Sequence, residues 1–150
     1  GVVVGLGGVA AHVLCKLPRD AEGYMGRLRC VQEISAVTAA CMMVKTSVFK
    51  AVGGFDEELK VAFNDIDLCM KVRKYGVKIV FTPYAELYHY ESKSRGMEDT
   101  PEKQLRFSRE VNCFRRKWER ELLKGDPYYN PNLTLNNTDC SLRKQEKNGD

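Results

Sequence analysis

The chain opens on an apolar run, Val2 to Val4, set between Gly1 and Gly5, which is the pattern of a short buried strand. A second run, Val37 to Val44 (VTAACMMV), has β-branched ends and predicts another buried strand. Thr46 is placed to cap a short helix through Val52, which Gly53 and Gly54 then stop, and the polar loop Phe55-Asp56-Glu57-Glu58 follows. Asn64 predicts the cap of a helix from Asp65 to Tyr75, closed by Gly76. Val77 to Phe81 (VKIVF) alternates with period two as a strand does, and Pro83 ends it. Ala85 to Tyr90 predicts one more short strand, with Leu87 and His89 on one face and Tyr88 and Tyr90 on the other.

The strongest pattern comes last. Phe107, Val111, Phe114, Trp118 and Leu122 recur at helical spacing, a single apolar stripe on a helix that Thr100 caps, Pro101 opens and Gly125 follows. Its other faces are strongly basic, with Lys and Arg at 103, 106, 109, 115, 116, 117, 120 and 124. Beyond Gly125 the composition turns to Asn, Pro and charge, so residues 125–150 predict an extended or mobile tail and residues 1–124 the folded part. Strands and helices alternate, which is an α/β chain with too few strands for a complete doubly wound sheet.

With 150 residues, 43% of them hydrophobic and 29% charged, the chain has the makeup of a soluble globular domain. No apolar stretch approaches the roughly 20 residues that cross a bilayer, and the opening lacks the basic start of a signal peptide. The cytosol is therefore the default compartment. The chain begins at Gly1, without an initiator methionine and directly on a strand, which leads us to expect a piece of a longer protein whose uncovered strand edge would favour homo-oligomers. Six cysteines without a C-x-x-C pair read as reduced, mostly buried thiols, Cys41 and Cys69 lying inside apolar patterns. The basic helix reads as a solvated face, because glutamates interrupt it and its aromatics are those needed for packing. This argues against nucleic acid and leaves contact with an anionic membrane surface as the lesser alternative.

Two clusters carry candidate chemistry. Gly5-Leu-Gly7-Gly8-Val-Ala10 fits the G-x-G-x-x-A turn of dinucleotide-binding domains, in which Gly5, Gly7 and Ala10 would admit a pyrophosphate. That reading requires a helix directly after Gly8 and then a parallel strand ending in an acid, here Glu33. Pro18 limits the helix, and glycines at a strand end arise for backbone reasons alone. The second cluster is Gly53-Gly-Phe-Asp-Glu-Glu followed by Phe63-Asn-Asp-Ile-Asp. Asp65 and Asp67 fall in a helix's first turn, where the macrodipole favours anions; this is ordinary helix-start chemistry unless something else recruits them. Two positions apart, they project about 200° from one another around the axis.

The stretch SAVTAACMMVKTSVFKAVGGFDEELKVAFNDIDLCMKVRKYGVKIVFTPYAELYHYESKSRG resembles the C-terminal half of GT-A-type family 2 glycosyltransferases, particularly rhamnosyltransferase-like enzymes of bacterial polysaccharide assembly. The resembling features are Thr38-Ala39, the GGFDE loop, the NDxD helix start and the P-x-A-x-x-x-H run ending in His89; DPYYNPNLT is similar to the family's tail. The resemblance implies a mixed sheet with flanking helices, incomplete without its N-terminal half. It also implies inverting transfer of a sugar from a nucleotide-diphospho-sugar donor to the hydroxyl of a glycan or lipid-linked acceptor, in the cytoplasm, with the inner face of the membrane as the alternative place. Asp65 matches the general base; Thr38, Asn64 and Asp67 would contact substrate; His89 would complete the site of a divalent cation, Mn²⁺ or Mg²⁺. Asn64 departs from the family's usual Glu. No Asp-x-Asp element precedes Val37, so the nucleotide and the first metal carboxylates belong elsewhere, and this chain alone is expected to be inactive and to bind no cation tightly. A non-catalytic binding or regulatory module on the same fold is the alternative.

Overall fold

The computed structural model describes residues 1–90 and 99–144. Strand β1 (Val2–Val4) pairs antiparallel with β2 (Ala10–His12), Val3 opposite Ala11. Strand β3 (Gln32–Glu33) pairs antiparallel with β4 (Val80–Phe81). The 32–36 segment joins the two ladders: Ile34 N–H donates to the Ile79 carbonyl at 3.0 Å, and the Ala36 carbonyl accepts from Val2 N–H at 2.9 Å. The helices are α1 (Thr46–Ala51), α2 (Asn64–Lys74), α3 (Pro101–Lys117) and α4 (Glu119–Lys124). The chain is thus mixed α and β with short sheets, and every ladder among the described residues is antiparallel.

β1 organises the core by the alternation of its side chains. Val2 and Val4 join Ile66, Cys69 and Met70 of α2, Phe114 of α3, and Trp118; Val3 on the opposite face joins Leu6, Tyr129, Leu133 and Cys140. A three-residue strand buried on both faces needs a layer on each, and the second layer is the segment after Gly125. The expectation of an extended or mobile tail therefore fails for residues 126–144, where Tyr129, Leu133, Thr134 and Cys140 are buried. Asp126 pins the start of this layer: its carboxylate accepts from Val4 N–H at 2.8 Å, Ser35 Oγ at 2.6 Å and Tyr128 N–H at 2.8 Å.

The glycine turn closes a hairpin. Gly5, Gly7 and Gly8 all take positive φ, a single 3-10 turn spans Leu6–Gly8, and the chain returns as antiparallel β2. The turn leads into β2 instead of a helix, and no parallel strand pair is present among the described residues, so the dinucleotide reading of Gly5, Gly7 and Ala10 is overturned. A side chain at Gly8 would meet the Arg115 guanidinium at 2.9 Å, and Arg115 Nε donates to the Gly8 carbonyl.

Other expectations shift as well. Val37 to Val44 is not a strand: Thr38 Oγ1 accepts from Ala40 N–H and the Asp65 carboxylate from Ala39 N–H, so side chains take the donors a ladder would use and Ala39–Cys41 winds into a 3-10 turn. Thr46 opens α1 from inside, Lys45 holding the cap position without a side-chain bond. Phe63, with φ 64°, takes the cap position of α2 that Asn64 was expected to fill. Of Val77 to Phe81 only Val80 and Phe81 are strand, because β3 offers a partner only two residues long. Ala85 to Tyr90 is exposed and irregular. All six cysteines are free as expected, but Cys15, Cys30 and Cys41 are exposed, so the thiols are not mostly buried. The last helix keeps its Thr100 cap, its proline and its Gly125 stop, with a break at Trp118.

Candidate functional site

The start of α2 is assembled from three directions. Phe63 enters it in the left-handed region, rare for a residue with a bulky side chain, and its ring is held against Phe107 and Phe114 at centroid distances of 5.8 and 5.3 Å. The backbone just before it is tied to α3. Buried Glu110 accepts from Ala62 N–H at 2.8 Å and Val61 N–H at 3.2 Å. Asn64 Oδ1 then accepts from Asp65 N–H at 2.7 Å.

Asp65 and Asp67 part company here. Asp65 is half-buried at the surface; one carboxylate oxygen accepts from Ala39 N–H at 2.9 Å, the other from Ile66 N–H at 2.8 Å. It thereby brings the Thr38–Cys41 turn onto the helix start. A carboxylate oxygen with one amide partner retains lone-pair capacity, so Asp65 can still accept from a hydroxyl. Asp67 is 0% exposed and points inward. Its Oδ1 accepts from Trp118 Nε1 at 2.8 Å and pairs with Lys117 Nζ at 2.8 Å, while Oδ2 pairs with Lys71 Nζ at 3.2 Å. The indole and the Lys117 ammonium thus both reach Oδ1, while Oδ2 has the Lys71 ammonium nearby but no hydrogen bond of its own. Asp67 has no exposed surface to offer an acceptor hydroxyl.

Lys117 also bonds to Asp56 of the Gly53–Glu58 loop. This contact holds the Asp56 carboxyl below its ordinary value of 3.8, with a backbone bond from Glu58 assisting. Burial acts to lower the Lys117 ammonium, but the bonds to Asp56 and Asp67 outweigh it and raise it. Cys69, on the buried face of α2 itself, is pushed up to about 11 by burial and is a weak nucleophile.

The predicted residues therefore divide. Thr38, Asn64 and Asp65 meet at one place. Asp67 sits beneath them, and His89 stands on exposed chain in the irregular segment before residue 91. Among the described residues no group of three or more His, Cys, Asp or Glu gathers where a metal ion could sit. His89 offers a single nitrogen, so these residues do not build a cation site by themselves. Lys117, Glu110 and Asp126 went unrecognised as organising residues. Lys117 had a signal: it lies beside Phe114 and Trp118 at the margin of the apolar stripe, within reach of groups packed under that stripe.

Comparison with known proteins places this geometry in context. No family model and no solved structure matches the chain. It is 56% identical over 143 residues, 95% of its length, to the uncharacterized protein y4gI of Sinorhizobium fredii. It is 37% identical over its whole length to the O-antigen biosynthesis protein RfbC of Myxococcus xanthus. Over 62 residues, 41% of the chain, it is 36% identical to an N-acetylglucosaminyl-diphospho-decaprenol L-rhamnosyltransferase of Mycobacterium tuberculosis. The chain is a relative of segments of these proteins. It spans only 16%, 12% and 20% of their respective lengths.

Proposed function

We propose that this chain is the acceptor-side part of a family 2, GT-A-type glycosyltransferase acting in cell-surface polysaccharide assembly, with Asp65 as its general base. The observation that supports the reading most directly is the unequal placement of the two carboxylates. Asp65 is half-exposed at a helix start with hydrogen-bonding capacity to spare, on a segment related to proteins named for O-antigen biosynthesis and rhamnosyl transfer.

In the proposed reaction the Asp65 carboxylate takes the proton of an acceptor hydroxyl. The freed oxygen attacks the anomeric carbon of the donor sugar, the bond from that carbon to the diphosphate oxygen breaks, and the nucleoside diphosphate leaves with the electron pair. Thr38 and Asn64 shape the rim around the base, their side-chain oxygens holding the Ala40 and Asp65 amides in place. Asp67 supports the helix from below. A divalent cation, Mn²⁺ or Mg²⁺, would offset charge on the leaving diphosphate, with His89 at most one ligand among others supplied from outside this chain. The exposed Arg109, Arg116 and Arg120 face outward from α3 and α4, where a lipid-linked acceptor at an anionic membrane surface would meet them.

The test uses the full-length polypeptide that carries this segment, with a panel of radiolabelled nucleotide-diphospho-sugars and lipid-linked acceptor. Asp65→Asn should lower kcat by about 10² to 10⁴ while donor binding persists. Transfer at close to the wild-type rate would refute the base assignment, and no transfer with any donor by the wild type would favour a non-catalytic module.

A further inference from the structure

We propose that Lys117 is the positioning residue of this site: its ammonium couples the Gly53–Glu58 loop to the first turn of α2 and so fixes where Asp65 stands. The inference rests on the reading of Asp65 as base, but the tether itself is a matter of geometry. Lys117 Nζ bridges two carboxylates from separate segments, Asp56 in the loop and Asp67 in the helix, the latter at 2.8 Å.

The break between α3 and α4 makes the bridge reachable. In a continuous helix, consecutive side chains diverge by about 100°. Here Trp118 leaves helical geometry (φ −114°, ψ 21°), and Lys117 Nζ and Trp118 Nε1 converge on the same oxygen of Asp67. Asp67 lies two residues beyond Asp65 on one rigid turn, so its anchoring sets the rotation of α2 about its axis. Lys71 closes the arrangement from the side: it pairs with Asp67 and donates to the Gly54 carbonyl, which fastens the same loop a second time. The loop and helix start are thus one clamped unit, and the carboxylate that remains open to an acceptor is the one the clamp does not consume. Lys117 touches no reacting atom in this account. It acts through Asp67 and Asp56.

The experiment compares Lys117→Met, Lys117→Arg and Asp65→Asn in the full-length polypeptide, reading kcat, donor KM and amide hydrogen exchange in peptides covering residues 38–41 and 53–67. Lys117→Met should speed exchange in both segments by about tenfold or more and lower kcat by about 10- to 100-fold, since misplacement of about 1 Å has that effect, with donor KM unchanged within about twofold. Lys117→Arg, which can still bridge two carboxylates, should bring exchange and kcat most of the way back. Wild-type exchange and kcat in Lys117→Met overturn the proposal. So does either change without the other, since the lysine would then not act through this segment. If Lys117→Met does not fold, Asp56→Asn removes one arm of the bridge and is read against the same two outcomes. Should Asp65→Asn transfer sugar at the wild-type rate, the base assignment falls, while exchange in Lys117→Met still decides whether Lys117 holds the clamp.

Discussion

Asp126 is where the layer after Gly125 is joined to the sheet, and replacing it with alanine tests whether that layer belongs to the folded unit. Its carboxylate accepts three hydrogen bonds: from the N–H of Val4, a residue 2% exposed, from the hydroxyl of Ser35, also buried, and from Tyr128 N–H nearer the surface. Leaving a buried donor unsatisfied costs about 1–3 kcal/mol. The Ser35 hydroxyl can rotate toward another acceptor and water can reach the Tyr128 amide, so most of the penalty falls on Val4 N–H. We expect about 3 kcal/mol for Asp126→Ala, against the 5–15 kcal/mol typical of a whole domain. Asp126→Asn keeps one carbonyl oxygen and should cost about half as much. The chain's single tryptophan, Trp118, packs in the core beneath α2 and makes its own unfolding probe. Urea unfolding followed by its fluorescence should show a lower midpoint with an unchanged slope, and a thermal midpoint lowered by about 6–12 °C. A loss below about 1 kcal/mol for Asp126→Ala would refute the reasoning and restore the picture of a loosely attached tail.

Three further outcomes follow from the same geometry. Phe114→Ala removes a ring that is 0% exposed and supports Phe63 at the entry to α2; it should cost about 3–5 kcal/mol by denaturation. Iodoacetamide at pH 8 should label Cys15, Cys30 and Cys41 quickly and Cys69 and Cys140 only on unfolding, as peptide mass spectrometry can check; rapid labelling of Cys69 would contradict its burial and its value of about 11. Asp56 is held below its ordinary 3.8, so it contributes stability that is present above that pH and lost as pH falls through its folded value; Asp56→Asn should flatten the acid limb of stability below its ordinary 3.8, and an unaltered limb would deny the Lys117 contact its role.

What could be read from the sequence depended on how locally each feature is determined. The apolar stripe, Thr100, Pro101 and Gly125 sufficed to bound the last helix, because caps and periodicity act within a few residues. The break at Trp118 was not legible: it is coupled to contacts with Asp67, 51 positions away. The apolar run from Val37 to Val44 misled for a related reason. Its composition suits a strand, yet Thr38 and Asp65 supply side-chain acceptors for two of its amides, and the second of these comes from 26 residues further on. Likewise the Asn- and Pro-rich composition after Gly125 predicted mobility, and the buried Tyr129, Leu133 and Cys140 within it have a partner only because Val3 presents a bare face of β1.

The two aspartates show the same limit at the site itself. Sequence alone fixes that residues 65 and 67 on one helix start point in different directions, and this already forbids equal roles. It does not say which of them faces outward. That is decided by Lys117 and Trp118, which lie on a different helix and carry, in the linear pattern, the signs of a solvated basic face and an ordinary core aromatic. Placed together at the break, they hold Asp67 fully buried, with an ammonium and an indole N–H on one oxygen and Lys71 near the other. A second carboxylate on that turn cannot share those partners, so Asp65 is left at the surface with the Ala39 and Ile66 amides. The division of labour between a structural acid and one available to a substrate hydroxyl thus follows from how many cations the core brings to one side of α2.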